Sequence, residues 1–403
     1  MALDFQQVRK QIQEIGENAP IRHQLLSDKR SRARSLLEAY TADLAQLRNK
    51  VQRVVSQYDP NLRCALPVDE NVRTPEGLLT CVELPFLPKR ATVLAADGSQ
   101  IAPDRHQEVN YCLINVGAIQ MIHGASQPPV TTTDSRLLYD EDLYTAYGRL
   151  TDETVALQRD LNERKILAIL ARDAPPPVIT FTDGPMELWG VKEGDSAGDY
   201  RQSLEAYKSS LAELYELDVA TAGYVDKPAA DLVVRLLEVA ATPENELPDI
   251  KNNHSLRGVT DIELYTEILG PGERSAVFAM QSKSAANYQN QLALHFFYLN
   301  VGRPGRPWLA RVEIPAWVAA RDDMLNHLHA VLVHQSGIMG TRPYPYLLHR
   351  AHEAAVVSLK EKEQVTQMIL YELRRQGVPV GQASNKQAAK NLGPRSSYQG
   401  RSR

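Results

Sequence analysis

The chain has little of what marks a disulfide scaffold or a structural zinc site. It contains three cysteines in 403 residues, Cys64, Cys81 and Cys112. None forms a CxxC pair and none stands beside paired histidines, so a reducing cytoplasmic setting is the expectation. No apolar run approaches the roughly 18 residues of a membrane span. The opening stretch, MALDFQQVRKQIQEIGENAP, is too polar for a signal peptide. A GxxxxGK phosphate loop is also missing, so any ATP-driven step is expected to come from a partner. There is no internal repeat. An excess of positive charge is lacking too: the formal net charge is −4. That argues against attraction of polyanions by the whole surface and leaves room for a local basic groove.

What is present is ordinary globular material, 43% hydrophobic and 23% charged. The length fits about two to three domains, or one large elaborated domain. The organising stretch is ATVLAADGSQ at 91–100. Its short apolar run, rich in small and β-branched residues, predicts a core strand. Asp97 stands where that strand is expected to end, and Gly98 is expected to turn the backbone sharply. Most Asp-Gly pairs are only turns, so Asp97 gains meaning only if the chain supplies partners for its carboxylate.

The first 57 residues read as helical. Leu36, Leu37, Tyr40, Leu44, Leu47, Val51 and Val54 form an amphipathic stripe. The opposite face, with Lys29, Arg30, Arg32, Arg34, Arg48, Lys50 and Arg53, reads as solvated. Five prolines between 58 and 90 predict an extended connector. Strands are expected over 111–123 and 128–133, and a helix over 151–172 stopped by Pro175-Pro176-Pro177. VITFT at 178–182 then repeats the first device, strand followed by Asp-Gly, at Asp183-Gly184. A helix over 199–217, a strand over 219–225 and a helix over 229–241 follow. Residues 243–257 read as an exposed polar loop. Three strands (276–280, 294–301, 308–314), a helix over 317–335 and one long helix over 347–376 complete the body. The tail from 377 carries Lys386, Lys390, Arg395, Arg401 and Arg403 without an acid and reads as disordered.

Acidic residues at strand ends, with strands preceding and then alternating with helices, fit an α/β fold: a mixed sheet flanked by helices. They also fit the ribonuclease H-like arrangement, in which carboxylates converge on two divalent ions. Phosphodiester hydrolysis needs such clusters, because one ion activates water and the other neutralises the leaving oxygen. Manganese and magnesium prefer oxygen ligands.

AADGSQ at 95–100, FTDGPMELWG at 181–190, AGYVDKP at 222–228 and RPYPYLLHRAHEAAVVS at 342–358, in that order and spacing, resemble the NurA family of DNA repair nucleases. The resemblance implies a ribonuclease H-like core over 91–376, after the helical region 1–57 and the connector 58–90, and before the basic tail 377–403. It implies a manganese-dependent single-strand endonuclease and 5′–3′ exonuclease, with magnesium as the alternative ion, acting in DNA end resection as a homodimer with HerA, a hexameric DNA-translocating ATPase. It places an Asp on Asp97, an Asp on Asp183, a Tyr on Tyr344 and a His on His352. Tyr346 and His349 are near-duplicates, and the Ala351-His352 step before an apolar helix favours His352. The family's Glu falls on the helix before the second Asp-Gly strand. Glu163 is the candidate, one turn before Ile166 and Leu167, with Glu153 and Asp160 as alternatives.

Two other classes compete. A haloacid dehalogenase-type phosphatase also carries Asp-Gly after a strand, but it needs a nucleophilic Asp two residues earlier, where this chain has Ala95. A catalytically idle scaffold that regulates a ring translocase would not need all five residue types.

Overall fold

In a computed structural model, residues 3–104, 107–190 and 197–379 are described. Two helices come first, α1 (Phe5–Tyr40) and α2 (Leu44–Gln57). Leu37, Leu47, Val51 and Val54 of the expected stripe are buried. The basic face is not simply solvated. Lys29 donates to the Arg257 carbonyl at 2.9 Å, Arg30 pairs with Glu263, Arg48 with Asp69 at 2.7 Å and Arg53 with Glu244 at 2.7 Å. Lys50 Nζ donates to the Ala240 and Thr242 carbonyls. Most of these cations tie the helices to the body while remaining partly open to solvent.

The body is one nine-stranded mixed sheet. Its strands are β1 (Cys64–Pro67), β2 (Ala91–Ile101), β3 (Tyr111–His123), β4 (Val130–Tyr139), β7 (Val178–Asp183), β8 (Ala220–Asp226), β9 (Phe278–Gln281), β10 (Leu294–Asn300) and β11 (Leu309–Pro315), a small hairpin β5 (Tyr144–Thr145) and β6 (Gly148–Arg149) standing apart. The order across the sheet is β1-β9-β10-β11-β8-β7-β2-β3-β4. Strands β2, β7 and β8 are mutually parallel, and the other pairings are antiparallel. The run β4-β3-β2-β7-β8, an antiparallel meander continued by two parallel strands, is the ribonuclease H-like order. Within the expected connector, β1 joins the sheet as an edge strand. Strands β10 and β11 are buried along their whole length, as a sheet covered on both faces requires.

Helices α3 (Asp152–Ala171), α4 (Ala197–Glu216), α5 (Leu232–Ala241), α6 (Asp261–Tyr265), α7 (Ala316–Ala319), α8 (Asp322–Ile338), α9 (Tyr346–Ala355) and α10 (Leu359–Arg375) complete the fold. Thr151 caps α3 by accepting from the Thr154 N–H.

Two further sequence expectations change. The stretch 243–257 is not wholly exposed: Leu247, Ile250 and Leu256 are fully buried, because apolar side chains spaced through a polar loop can still anchor it. The helix expected over 347–376 is two helices. Ser358 begins α10 with a capping box to Glu361, and side chains of β2 and β3 hold the end of α9. The basic tail lies outside the described residues from 380 onward.

Candidate active site

Strand β2 does not end at Asp97. It runs on through Gly98 to Ile101, and Gly98 pairs with Val116 of β3. Gly98 is needed for clearance, not for a turn. A Cβ there would stand 2.5 Å from Arg159 Cγ and 2.8 Å from Glu163 Oε1 of α3. Alternate residues of a strand face opposite sides, so Gly98 faces α3 while Asp97 and Ser99 face α9.

On that second side the helix lies directly on the backbone. Gly117, the cross-strand partner of Asp97, would place a Cβ 2.6 Å from the Ala351 carbonyl oxygen. The Ser99 hydroxyl and Asn115 Nδ2 both donate to the Ala355 carbonyl at the end of α9. Asn115 Oδ1 in turn accepts from Ser135 Oγ at 2.6 Å. So seated, α9 brings His352 Nδ1 to 2.7 Å from Asp97 Oδ2, while Asp97 Oδ1 accepts from the Gly98 N–H at 2.8 Å. His349 points to another partner, Glu353, at 3.6 Å.

Strand β7 brings the second acid. The last registered pair between β2 and β7 is Ala96 with Thr182, so Asp97 and Asp183 follow side by side where the parallel pairing of the two strands ends. Here the Asp-Gly step does end the strand, with Gly184 at φ +90°. The Tyr344 hydroxyl donates to Asp183, and its ring meets Tyr224 of β8 edge-on, with centroids 5.8 Å apart. Tyr346 is partly buried against the core.

Glu163 projects from α3 and is 6% exposed. Arg159 Nε lies 3.5 Å from it, and the same guanidinium holds Asp160 at 2.7 Å. Glu153, by contrast, is exposed in the first turn of α3 and does not line the cleft.

Asp97, Glu163, Asp183 and His352 thus share one cleft of about 380 Å³, together with Asp160, Glu187, Arg159 and Arg164. Five carboxylates face two guanidinium groups. The imbalance shows in the titration. Burial, and then the charges of Asp160 and Asp97, hold the Glu163 carboxyl well above the usual carboxylate range. Asp160 is raised by burial despite Arg159. Asp183 is raised by burial and by Asp97, against the Tyr344 hydrogen bond. Carboxylates that raise one another in this way suit divalent cations, which remove the repulsion. In the structure each is held by its own donor: Asp97 by His352, Glu163 and Asp160 by Arg159, Asp183 by Tyr344. Among the described residues no three donors stand ready-placed around a common ion. The donor set fits a hard cation in chemistry, and these side chains must turn to share one.

No sequence motif assigns a role to Arg159, Arg164, Glu187 or Trp189. Arg164 is 1% exposed and donates to Thr182 Oγ1 at 2.7 Å and Thr221 Oγ1 at 2.9 Å. Its position, three residues from both Leu161 and Leu167 on the apolar side of α3, was a usable signal of a buried cation.

The NurA domain profile matches residues 91–357. No curated protein matches the sequence. Among solved structures, the chain is similar to the NurA nuclease from Sulfolobus solfataricus, with 12% identity over 93% of this chain and 98% of that one and a TM-score of 0.51. It is also similar to a NurA solved with manganese, with 9% identity over 89% and 98% of the two chains and a TM-score of 0.44. At these identities the likeness is one of fold. The profile spans the two Asp-Gly strands, α3 and α9, every element that faces the cleft, and the chain belongs to the NurA family.

Proposed function

We propose that the chain is a metal-dependent deoxyribonuclease, and that Asp97, Glu163, Asp183, Tyr344 and His352 form its active site. The observation that carries this is the convergence of three carboxylates, from β2, α3 and β7, on one cleft beside His352. Asp97, Glu163 and Asp183 would hold the ions, two in the reading favoured here, with His352 as a further candidate ligand. Divalent cations held there would activate the attacking water and neutralise the leaving oxygen.

The protein's own groups supply the rest. With Nδ1 against Asp97, His352 is oriented with Nε2 left to take up or deliver a proton. At Nε2 a protonated imidazole can protonate the leaving oxygen. Tyr344, on Asp183, fixes that carboxylate and offers a hydroxyl and a ring to the substrate. Arg159 holds Glu163 and Asp160 until positive charge arrives by another route.

The finer reading follows the family resemblance: single-strand endonuclease and 5′–3′ exonuclease activity in end resection, as a cytoplasmic homodimer working with a HerA-type hexameric ATPase. The lack of a GxxxxGK loop supports a separate motor. Among the described residues no helix is long and apolar enough to cross a membrane. The decisive assay is cleavage of single-stranded and 5′-resected DNA across a manganese titration. Manganese is the first ion to try, and calcium or EDTA should abolish turnover. Undiminished cleavage in EDTA would overturn the metal dependence. Absence of cleavage with any divalent ion would overturn the enzyme reading. Co-purification of a ring ATPase tests the partner.

A further inference from the structure

The same cleft has a rim that the chemistry does not use. Trp189 lines it and is 49% exposed. Of the other two tryptophans, Trp317 is buried and donates to the Val219 carbonyl, and Trp308 donates to Asp226 at 2.7 Å. Arg63, which follows α2, lies over the Trp189 ring, 5.0 Å from its centroid, and 3.9 Å from the buried Glu187 carboxylate. Half exposed at the mouth of an acidic cleft, the Trp189 ring presents part of its surface where a substrate would enter.

We infer that Trp189 is a stacking platform for a nucleobase of single-stranded DNA, braced by Arg63, and that it positions the strand over the carboxylates. This rests on the nuclease reading and adds to it a base-contacting residue. The electrostatics favour it. A cleft with five carboxylates and two arginines repels phosphate before cations bind. Stacking is a contact whose strength does not depend on that charge, and every base has a face to offer. Arg63 covers part of the ring through a cation–π contact. Its side chain is 39% exposed, which leaves it able to meet the backbone phosphate next to the stacked base. Single-stranded substrate is required, because a base inside a duplex has no free face.

The test is steady-state cleavage by the full chain with manganese, using a thymidine oligonucleotide of about 20 nucleotides and the same strand made abasic. Trp189→Ala should raise KM for the thymidine strand about 5- to 150-fold and leave kcat at saturation within about twofold. Trp189→Phe should recover most of the loss. The abasic strand should show wild-type protein the same high KM and cost Trp189→Ala nothing further. If the wild type cuts and Trp189→Ala keeps its KM, the stacking role is wrong and the nuclease reading survives. Equal collapse of kcat in the Ala and Phe variants would mean that the ring is structural, which also overturns the inference. If the wild type cuts nothing, the nuclease reading fails and this inference with it.

Discussion

The two halves of the sheet treat buried charge in opposite ways. On the β9-β10-β11 side, charges are matched. Arg311 meets Glu313 at 2.7 Å, Arg274 meets Glu76 at 3.0 Å and Arg235 on the adjoining α5 meets Glu238 at 2.6 Å. Glu313 also accepts from the Met186 N–H at 2.9 Å, so its second oxygen is satisfied. On the β2-β7 side, carboxylates crowd one another and raise one another's pKa. Matched pairs hold the fold at modest net benefit and are costly only when split. A crowd of like charge stabilises nothing by itself, so its persistence in a packed cleft points to chemistry.

The largest effect should come from thinning the crowd. Asp97→Asn, Asp183→Asn and Glu163→Gln should each lower cleavage about 10³-fold or more, since several kcal/mol of cation-mediated stabilisation are at stake. Melting temperatures should hold or rise, because repulsion is relieved. Glu153→Gln, on an exposed turn, should change cleavage by less than about twofold, and Glu163→Gln should also weaken manganese binding in calorimetry. The reverse pattern for the two glutamates would move the site toward the start of α3.

Splitting a matched pair should do the opposite. Arg311→Met leaves Glu313, 1% exposed, without its cation. A loss of about 3–5 kcal/mol in denaturant unfolding is expected, with Arg311→Met/Glu313→Leu recovering much of it. A single variant costing under about 1 kcal/mol would show that the pairing matters little.

Two buried histidines beside the matched pairs should respond to acid with the opposite sign from the cleft carboxylates. His295 on β10 and His329 on α8 are buried, and burial pushes both down to about 4 from 6.5. His329 Nε2 donates to the Gly272 carbonyl at 2.7 Å, which suits the neutral ring. A depressed folded pKa means that the unfolded chain takes up protons first. Stability is therefore complete above about pH 6.5 and falls as pH drops toward 4, by up to about 3 kcal/mol per histidine. Asp160, Glu163 and Asp183 in the cleft are raised instead, so their contribution is largest in acid and fades as pH rises through their folded pKa. Manganese should cancel that fading in the cleft and leave the histidine limb untouched. Melting curves from pH 4 to 8, with and without manganese, test both slopes.

Much of this was legible in the sequence where a local pattern decided the outcome. The 13-residue apolar run at Tyr111–His123 is the strand it looked like, and two Asp-Gly steps after apolar runs marked neighbouring parallel strands. Legibility ended where a contact between distant residues decided it. Asp97-Gly98 and Asp183-Gly184 are the same pair in sequence, yet one lies within a strand and the other ends one. Pairing with β3 as far as Ile101 carries the first onward, whereas Gly184, at φ +90°, turns the second out of the sheet. The break after Ala355 was hidden because the donors to its carbonyl are Ser99 and Asn115, more than two hundred residues away. The Arg159 brace was missed because adjacent positions on one helix do not say which carboxylate an arginine will hold.

Within the cleft, the smallest effect should come from Asp160, a crowded acid outside the proposed ligand set. It lines the cleft, and Arg159 holds it at 2.7 Å, closer than the 3.5 Å to Glu163. Its charge is the first of the neighbouring charges that raise Glu163. Asp160→Asn removes that charge and frees Arg159 to favour the ionised form of Glu163. Both changes lower the Glu163 pKa, so the carboxylate needed for cation binding is present at lower pH. The acid limb of the cleavage profile should therefore move to lower pH, with cleavage on the plateau kept within about tenfold. Glu163→Gln instead removes turnover at every pH. If Asp160→Asn loses turnover as Glu163→Gln does, Asp160 is the ligand from α3. If cleavage persists with no shift of the acid limb, the crowding of carboxylates does not set the protonation of Glu163.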